Sequence, residues 1–160
     1  MPLQNFGLVY HHSNGARLWR CAQPDYDGFW QLSKMMGDGK GEGAVCFKLN
    51  QPSEGSDKEF TGVVQQCRVG LLDPDPEEVL SIARDIMLSL KGGNDVVAHC
   101  THGRDRTGCV IGAFRVIFQG WTVEAAWQEM KVFGVGGIIA LTDLPIHECL
   151  EKIWREVNGR

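Results

Sequence analysis

The stretch Val96–Gly108, with the sequence VVAHCTHGRDRTG, decides the fold. Its first three residues are apolar, which predicts a short buried strand. Gly103 then permits a tight curve, and residues 106–118 carry apolar side chains at helical spacing. A buried strand that runs through a loop into a helix places Cys100 at the carboxyl edge of a sheet, where ligands of α/β proteins bind.

Strands and helices are predicted to alternate on both sides of this stretch. A turn signal at residues 13–15 predicts a hairpin, and the segments 44–49 and 63–69 are strand candidates. Further helices are predicted after Pro24, from Asp75 to about Leu90, and over residues 123–130 and 145–157. This order predicts one α/β domain over residues 1–160, with a central, mostly parallel sheet flanked by helices.

Composition and charge exclude several classes of protein. The chain has 160 residues, with 20 acidic and 16 basic side chains and a net charge of −4, which disfavours nucleic-acid binding. No apolar run reaches the roughly 18 residues that span a bilayer, and the first residues lack the features of a signal peptide. We therefore expect a cytoplasmic protein without membrane insertion. The sequence does not indicate an oligomeric state.

The six cysteines are scattered singly and form no Cys-x-x-Cys pair, so the pattern does not support a zinc site. Three of them are followed six residues later by an arginine, although chance predicts fewer than one such pair in a chain of this composition. The three pairs are Cys100 with Arg106, Cys109 with Arg115, and Cys149 with Arg155. The last two cysteines lie in predicted helices, where the backbone amides are already bonded and cannot converge on an anion.

The loop around Cys100 differs because it delivers free amide groups at a helix N-terminus. Such a loop favours a bound phosphate dianion and, by the same field, the thiolate form of Cys100. The planar fork of Arg106 can hold two phosphate oxygens, and Thr107 can donate its hydroxyl to the sulfur. The alternative interpretation is a structural turn around a buried cysteine.

The pattern HCxxGxxRTG over residues 99–108 resembles the phosphate loop of the protein tyrosine and dual-specificity phosphatase superfamily. Segments 17–24 and 115–130 are similar to its compact bacterial branch, which is related to atypical plant and fungal enzymes. The resemblance implies the dual-specificity phosphatase fold. It also implies that Cys100 is the thiolate nucleophile, Arg106 the phosphate clamp and transition-state stabiliser, and Thr107 the aid to hydrolysis.

The resemblance assigns roles to the rest of the loop as well. Substrate oxygens are expected on the backbone of residues 101–106, whose members besides Arg106 are Thr101, His102, Gly103, Arg104 and Asp105. His99 and Gly108 are expected to support the loop. No metal and no other cofactor is implied. Positive charge from His102 and Arg104 at the mouth of the site would favour polyanionic substrates.

The general acid is predicted on the segment before the second long helix. Asp73 and Asp75 precede Cys100 by 27 and 25 residues, the separation at which the family places an acid on a mobile loop. Asp75 fits the helix N-cap position, which would occupy its side chain, so Asp73 is the better acid. The usual Trp-Pro-Asp sequence is replaced by Leu72-Asp73-Pro74.

Several functions remain open from the sequence. The first is a metal-independent phosphatase acting on phosphotyrosine, and also on phosphoserine or phosphothreonine, in proteins. Alternative substrates are phosphoinositides and inositol phosphates or pyrophosphates. A pseudophosphatase that only binds phosphate is a second class, and sulfur transfer or arsenate reduction through the same anion loop is a third.

Overall fold

The computed structural model describes residues 3–36, 43–135 and 143–159. Its strands are β1 (Gly7–His11), β2 (Arg17–Cys21), β3 (Ala44–Lys48), β4 (Val63–Gln66) and β5 (Asp95–His99). Its helices are α1 (Tyr26–Met35), α2 (Pro76–Lys91), α3 (Asp105–Phe118), α4 (Val123–Val132) and α5 (Asp143–Val157). One turn of 3-10 helix covers Pro52–Glu54.

The five strands form one sheet in the order β1-β2-β5-β3-β4. The hairpin pair β1 and β2 is antiparallel, whereas β2 with β5, β5 with β3, and β3 with β4 are parallel. The predicted mostly parallel sheet is thereby confirmed. Strand β5 lies in the middle of the sheet and is buried along its whole length, so the residue that follows it emerges at the centre of the carboxyl edge.

Helices cover both faces of the sheet, as predicted. Because side chains alternate along a strand, Val96 and Ala98 of β5 pack into the larger core formed with α2, α3, α4 and α5. Val97 points to the opposite face, where a smaller core includes Phe29 and Leu32 of α1. The apolar run of β5 is thus explained by burial on both faces.

The element boundaries differ from the sequence predictions in two places. Strand β4 ends at Gln66 rather than at residue 69, because β3, its partner in the described sheet, ends at Lys48 opposite Gln66. Helix α5 begins at Asp143, two residues before the predicted start. From the sequence, the glycine-rich stretch 37–43 predicts a loop, and Thr142 is a candidate cap of the last helix; residues 37–42 and Thr142 lie outside the described residues.

No helix within these three described ranges combines the length and the apolar composition needed to cross a bilayer.

Candidate active site

Cys100 directly follows β5 and is buried, with 2% of its surface exposed. Helix α3 begins five residues later, and Arg104 at its N-cap position makes no side-chain capping bond within the described part of the chain. The first amide groups of α3 are therefore not consumed by a cap and stay available to an anion. The loop between sheet and helix has the position that the sequence predicted.

The carbonyl groups of the loop are turned away from its centre. Every carbonyl oxygen from residue 99 to residue 103 has a partner on the outside of the loop. These contacts are Leu49 N to His99 O at 2.8 Å, His99 Nδ1 to Cys100 O at 3.2 Å, Gln23 N to Thr101 O at 3.0 Å, Asn5 Nδ2 to His102 O at 2.8 Å, and Arg20 Nη2 to Gly103 O at 3.0 Å. Because the N–H of a trans peptide points opposite to its carbonyl, the amides that follow face inward. They form an anion-binding nest.

Gly103 is required at the sharpest point of this loop. Its φ of +70° lies in the region that favours glycine. A Cβ at this position would also lie 2.7 Å from the backbone nitrogen of Ala22 and 2.8 Å from the carbonyl of Cys21. Two reasons therefore favour glycine in the curve of the loop: the positive φ, and the lack of room for a Cβ beside the backbone of Cys21 and Ala22.

Arg106 is held by a residue that the sequence analysis did not identify. Its Nη1 and Nη2 donate to Glu54 Oε2 and Oε1 at 2.9 and 2.8 Å. The Thr101 hydroxyl donates to Glu54 Oε1 at 2.7 Å and lies 3.4 Å from Arg106 Nη2. Arg106 Nε is buried and has no hydrogen-bond partner among the described residues. Glu54 thus holds the far end of the guanidinium, whereas Nε is left for a bound anion.

The hydrogen bonds from Arg106 hold the pKa of Glu54 well below its usual range and raise the pKa of Arg106 in return. Glu54 is consequently ionised at neutral pH and cannot serve as a proton donor there. Its position follows from the 3-10 turn, where it closes a capping box by accepting from the backbone nitrogen of Gln51 at 2.8 Å. The sequence Gln51-Pro52-Ser53-Glu54 carried that capping signal, although it gave no sign of the partner Arg106.

A buried polar network supports the loop from below. Asp57 contacts His99 Nε2 at 2.5 Å, accepts from Gln23 Nε2 at 2.8 Å and pairs with Lys48 Nζ at 3.3 Å. Lys48 also donates to Asn50 Oδ1 at 2.7 Å, and Asn50 donates to the hydroxyl of Thr101 at 3.0 Å. The network therefore fixes the residues on both sides of Cys100, and it explains the loop-supporting role predicted for His99.

Burial alone would raise the pKa of Asp57, but the bonds from His99 and Gln23 and the charge of Lys48 hold it well below its usual range. Asp57 and Lys48 were both missed from the sequence. A signal existed for Lys48, because a lysine inside the apolar strand sequence AVCFK has to find a buried partner.

A metal does not fit this network. Cys46, Asp57 and His99 form the one group of possible ligands found within the described residues, with their ligand atoms inside 4.8 Å of one another. However, Asp57 already accepts from the thiol of Cys46 and from Lys48, whose ammonium would repel a cation. The donor set is that of a satisfied ion-pair network.

The structure also locates the remaining loop residues. Thr107 is fully buried, and its hydroxyl has no hydrogen-bond partner within residues 3–36, 43–135 and 143–159. His102 is exposed, and Asp105 is the first, partly exposed residue of α3. The side chain of Arg104 runs past Gly134, where a Cβ would lie 3.4 Å from its Cδ. A Cβ on Gly108 would lie 3.1 Å from Met130, which explains the predicted close packing.

Arg106 and the predicted acid Asp73 line two different cavities. A cleft of about 670 Å³ is lined by Arg106, Glu54, Arg68 and Leu71, among others. Asp73 does not line it; exposed Asp73 borders a cavity of about 270 Å³ together with Asp75, Pro145, Glu148 and Lys152. Asp75 caps α2 by accepting from Glu77 N at 2.9 Å, as predicted. The structure thus brings Cys100, Thr101, Arg106 and Thr107 together in the loop and the first turn of α3, whereas Asp73 lines a different cavity from Arg106.

Comparison with known proteins defines the class. Residues 56–144 match the tyrosine phosphatase family, and the chain belongs to that family. The structure superimposes on the crystal structure of Tk-PTP in the active form with a TM-score of 0.71, at 19% identity over 94% of this chain and 97% of that one. The fold is therefore that of a dual-specificity phosphatase, which confirms the resemblance inferred from the sequence.

Two named relatives bear on the substrate. The chain is 40% identical over 62 residues to the dual specificity protein phosphatase TpbA of Pseudomonas aeruginosa, a match that covers 39% of this chain and 28% of TpbA. It is 30% identical over 70 residues to the inositol diphosphatase DSP4 of Arabidopsis thaliana, covering 44% of this chain and 34% of the relative. The chain spans about a third or less of the length of both relatives.

Proposed function

We propose that this chain is a metal-independent phosphatase that hydrolyses phosphate monoesters through a cysteinyl-phosphate intermediate. One observation carries the proposal: Cys100 lies at the base of a loop whose carbonyls from residue 99 to residue 103 are turned outward, and the buried Nε of Arg106 has no hydrogen-bond partner in the described part of the chain. Such an arrangement holds a tetrahedral dianion above the sulfur, and the same donors stabilise the charge that develops during transfer. Membership of the tyrosine phosphatase family supports the same chemistry.

In the first step, the Cys100 thiolate attacks phosphorus in line with the leaving oxygen. The phosphoryl oxygens bind the amides of residues 101–106 and Nε of Arg106, which stays available because Glu54 and Thr101 bind the other two guanidinium nitrogens. As the P–O bond breaks, Asp73 gives its proton to the departing alkoxide or phenoxide. This assignment requires the segment 69–73 to carry Asp73 from the neighbouring cavity to the cleft beside Arg106.

In the second step, water attacks the phosphocysteine. Asp73, now a carboxylate, takes a proton from the water while the P–S bond breaks and phosphate is released. The sulfur leaves as a thiolate, to which the buried hydroxyl of Thr107 donates a hydrogen bond. The lack of any other partner for this hydroxyl among the described residues supports that role.

Two classes of substrate fit the site. Phosphorylated proteins are the first, in line with the name of the bacterial relative. Inositol phosphates or pyrophosphates and phosphoinositides are the second, in line with the name of the plant relative. The size of the cleft beside Arg106 does not favour one class of substrate over the other. Arg68 on the wall of the cleft supplies a second positive charge. That charge, with Arg104 and His102 of the phosphate loop, favours substrates with more than one phosphate.

Hydrolysis of an aryl phosphate tests the proposal. Wild-type protein should turn over with chelator present and be inhibited by vanadate, which mimics five-coordinate phosphorus. Cys100→Ser should lose activity by at least a thousandfold, because an alcohol is not ionised at neutral pH. Cys109→Ser is the matched control, since Cys109 has the same spacing to an arginine but lies inside α3. Absence of turnover in the wild type would leave the pseudophosphatase or the sulfur-transfer alternative.

The same assay separates the substrate classes. The ratio of kcat/KM for inositol phosphates to kcat/KM for a phosphotyrosine peptide should fall in Arg68→Ala and in Arg104→Ala if polyanions are the substrates. Unchanged ratios in both variants would favour phosphoproteins. Location in the cytoplasm, a single domain over residues 1–160 and the absence of a nucleic-acid partner stay predictions.

A further inference from the structure

Arg20 is a fully buried cation directly beneath the phosphate loop. It lies on β2, paired with Ala98 of β5, and 1% of its surface is exposed. Its Nη2 donates to the Gly103 carbonyl at 3.0 Å, and a Cβ on Gly108 would lie 3.9 Å from the same nitrogen. The guanidinium is therefore placed between the loop and the first turns of α3. The reaction steps described above do not use it.

No carboxylate of the described residues forms a hydrogen bond or an ion pair with Arg20. Its Nε and Nη1 are buried without a hydrogen-bond partner among the described residues, and the ring of Phe133 covers the guanidinium at 3.8 Å. Glu129 attracts Arg20, but this carboxylate binds Arg115 through two hydrogen bonds of 3.0 and 2.8 Å. A buried charge in this condition is costly unless an anion offsets it.

The other charges near Cys100 are already balanced. Arg106 of α3 is paired with Glu54, and His99 of β5, with Lys48 behind it, is paired with Asp57. Cys21, next to Arg20 on β2, also faces Cys100, but burial raises the pKa of its thiol beyond the range in which it ionises. Of the groups that face Cys100 from β2, β5 and α3 in the described structure, Arg20 is thus the cation without a counter-charge of its own.

The coupling between Arg20 and Cys100 is reciprocal. Burial lowers the pKa of Arg20 to about 10, whereas the charges of Glu129 and of ionised Cys100 raise it. The charge of Arg20 and an anionic sulfur at Cys100 therefore attract each other. The hydrogen bond from Arg20 to the Gly103 carbonyl places that charge against the loop that carries Cys100.

We propose that Arg20 is a positioning residue of the phosphatase site, which stabilises the thiolate of Cys100 from behind the loop and holds the Gly103 carbonyl turned outward. The inference rests on the proposed function of Cys100 as nucleophile. It also gives the arginine of the segment LWRCAQP a role that the resemblance left open.

The test measures the thiol itself, so its outcome does not depend on turnover. Alkylation by iodoacetamide is followed against pH, and the Cys100 peptide is quantified by mass spectrometry. In Arg20→Met the pH midpoint of alkylation should rise by about one unit, the lower end of the effect of one nearby charge. The rate below the midpoint then falls about tenfold. The melting temperature should stay equal or increase, because an apolar side chain replaces an unpaired buried charge.

Three further variants separate charge from packing. Arg20→Gln is neutral but keeps a donor for the Gly103 carbonyl, so the pH midpoint of Cys100 alkylation should rise as in Arg20→Met. If Arg20→Met does not fold, Arg20→Gln provides the measurement. Arg20→Lys restores the charge and should return the midpoint to the wild-type value. Phe133→Leu removes the covering ring and should lower the melting temperature without moving the midpoint.

A wild-type midpoint in the folded neutral variants, or an equal shift in Phe133→Leu, would overturn the inference. Failure of hydrolysis in wild-type protein with the midpoint shift intact would instead count against the proposed function alone.

Discussion

Removal of the Glu54 carboxylate is predicted to weaken transition-state binding by Arg106. The pair is joined by two hydrogen bonds of 2.9 and 2.8 Å between ionised groups, and each such bond is worth about 1.5–3 kcal/mol. The Glu54 side chain is 30% exposed, so solvent screens part of that energy. We take about 2 kcal/mol for the loss of orientation, which corresponds to a fall of about 30-fold in kcat/KM for Glu54→Ala.

The assay is steady-state hydrolysis of an aryl phosphate between pH 5 and pH 8. Because Arg106 holds the pKa of Glu54 well below its usual range, the ratio of wild-type to variant kcat/KM should be constant across this interval. Glu54→Gln keeps the shape of the side chain and one acceptor, so its kcat/KM should lie between those of the wild type and Glu54→Ala. Glu59→Ala, at an exposed glutamate of the same connection, should behave like wild type.

One result would refute this reasoning. If Glu54→Ala hydrolysed substrate as fast as wild type or faster, and bound inorganic phosphate more tightly, the carboxylate would be a competitor of phosphate for Arg106. Its two hydrogen bonds would then have to break before substrate binds. The position of Glu54 would mark an inhibited state and not a support for the clamp.

Two further predictions concern acidic residues. Asp73→Ala should lower kcat by about a hundredfold or more, as expected for loss of a general acid. Asp75→Ala removes a helix cap, so it should lower the free energy of unfolding by about 1 kcal/mol with little effect on kcat. If Asp75→Ala lowered kcat more than Asp73→Ala, the two assignments would be exchanged. For Asp57, whose folded pKa is depressed, the stabilisation is present above the ordinary carboxyl value near 4 and is lost as the pH falls toward the folded value. Urea unfolding should therefore show a larger deficit of Asp57→Asn against wild type at pH 7 than at pH 3, and an equal deficit at both would contradict the network.

The elements that form the centre of the site were predictable because their signals are local. The apolar run of β5 and the helical spacing in α3 are read from neighbouring residues, and the interval between Cys100 and Arg106 is set by one loop. The apolar helical spacing around the two other Cys-to-Arg pairs also excluded them correctly as anion-binding loops, because Cys109 and Cys149 both lie in helices.

The residues that complete the site were not predictable in this way. Glu54 is 52 positions from Arg106, and Arg20 is 83 positions from the Gly103 carbonyl that it binds. Polar contacts over such separations leave no period or spacing in the sequence. The location of Asp73 depends on how the segment 69–73 turns, which chain separation alone does not determine, so the interval to Cys100 did not reveal that Asp73 lines a different cavity from Arg106.

The outward-turned carbonyls of residues 99–103 tie the anion nest to Asn5, Gln23 and Leu49 as well as to Arg20. These anchors come from three separate stretches of the chain, so the nest takes shape only after distant parts of the polypeptide have docked. A chain with full helical content but one misplaced anchor would give a normal far-ultraviolet spectrum and little turnover. Under the proposed function, turnover is therefore a stricter measure of native packing in this protein than any measure of secondary structure.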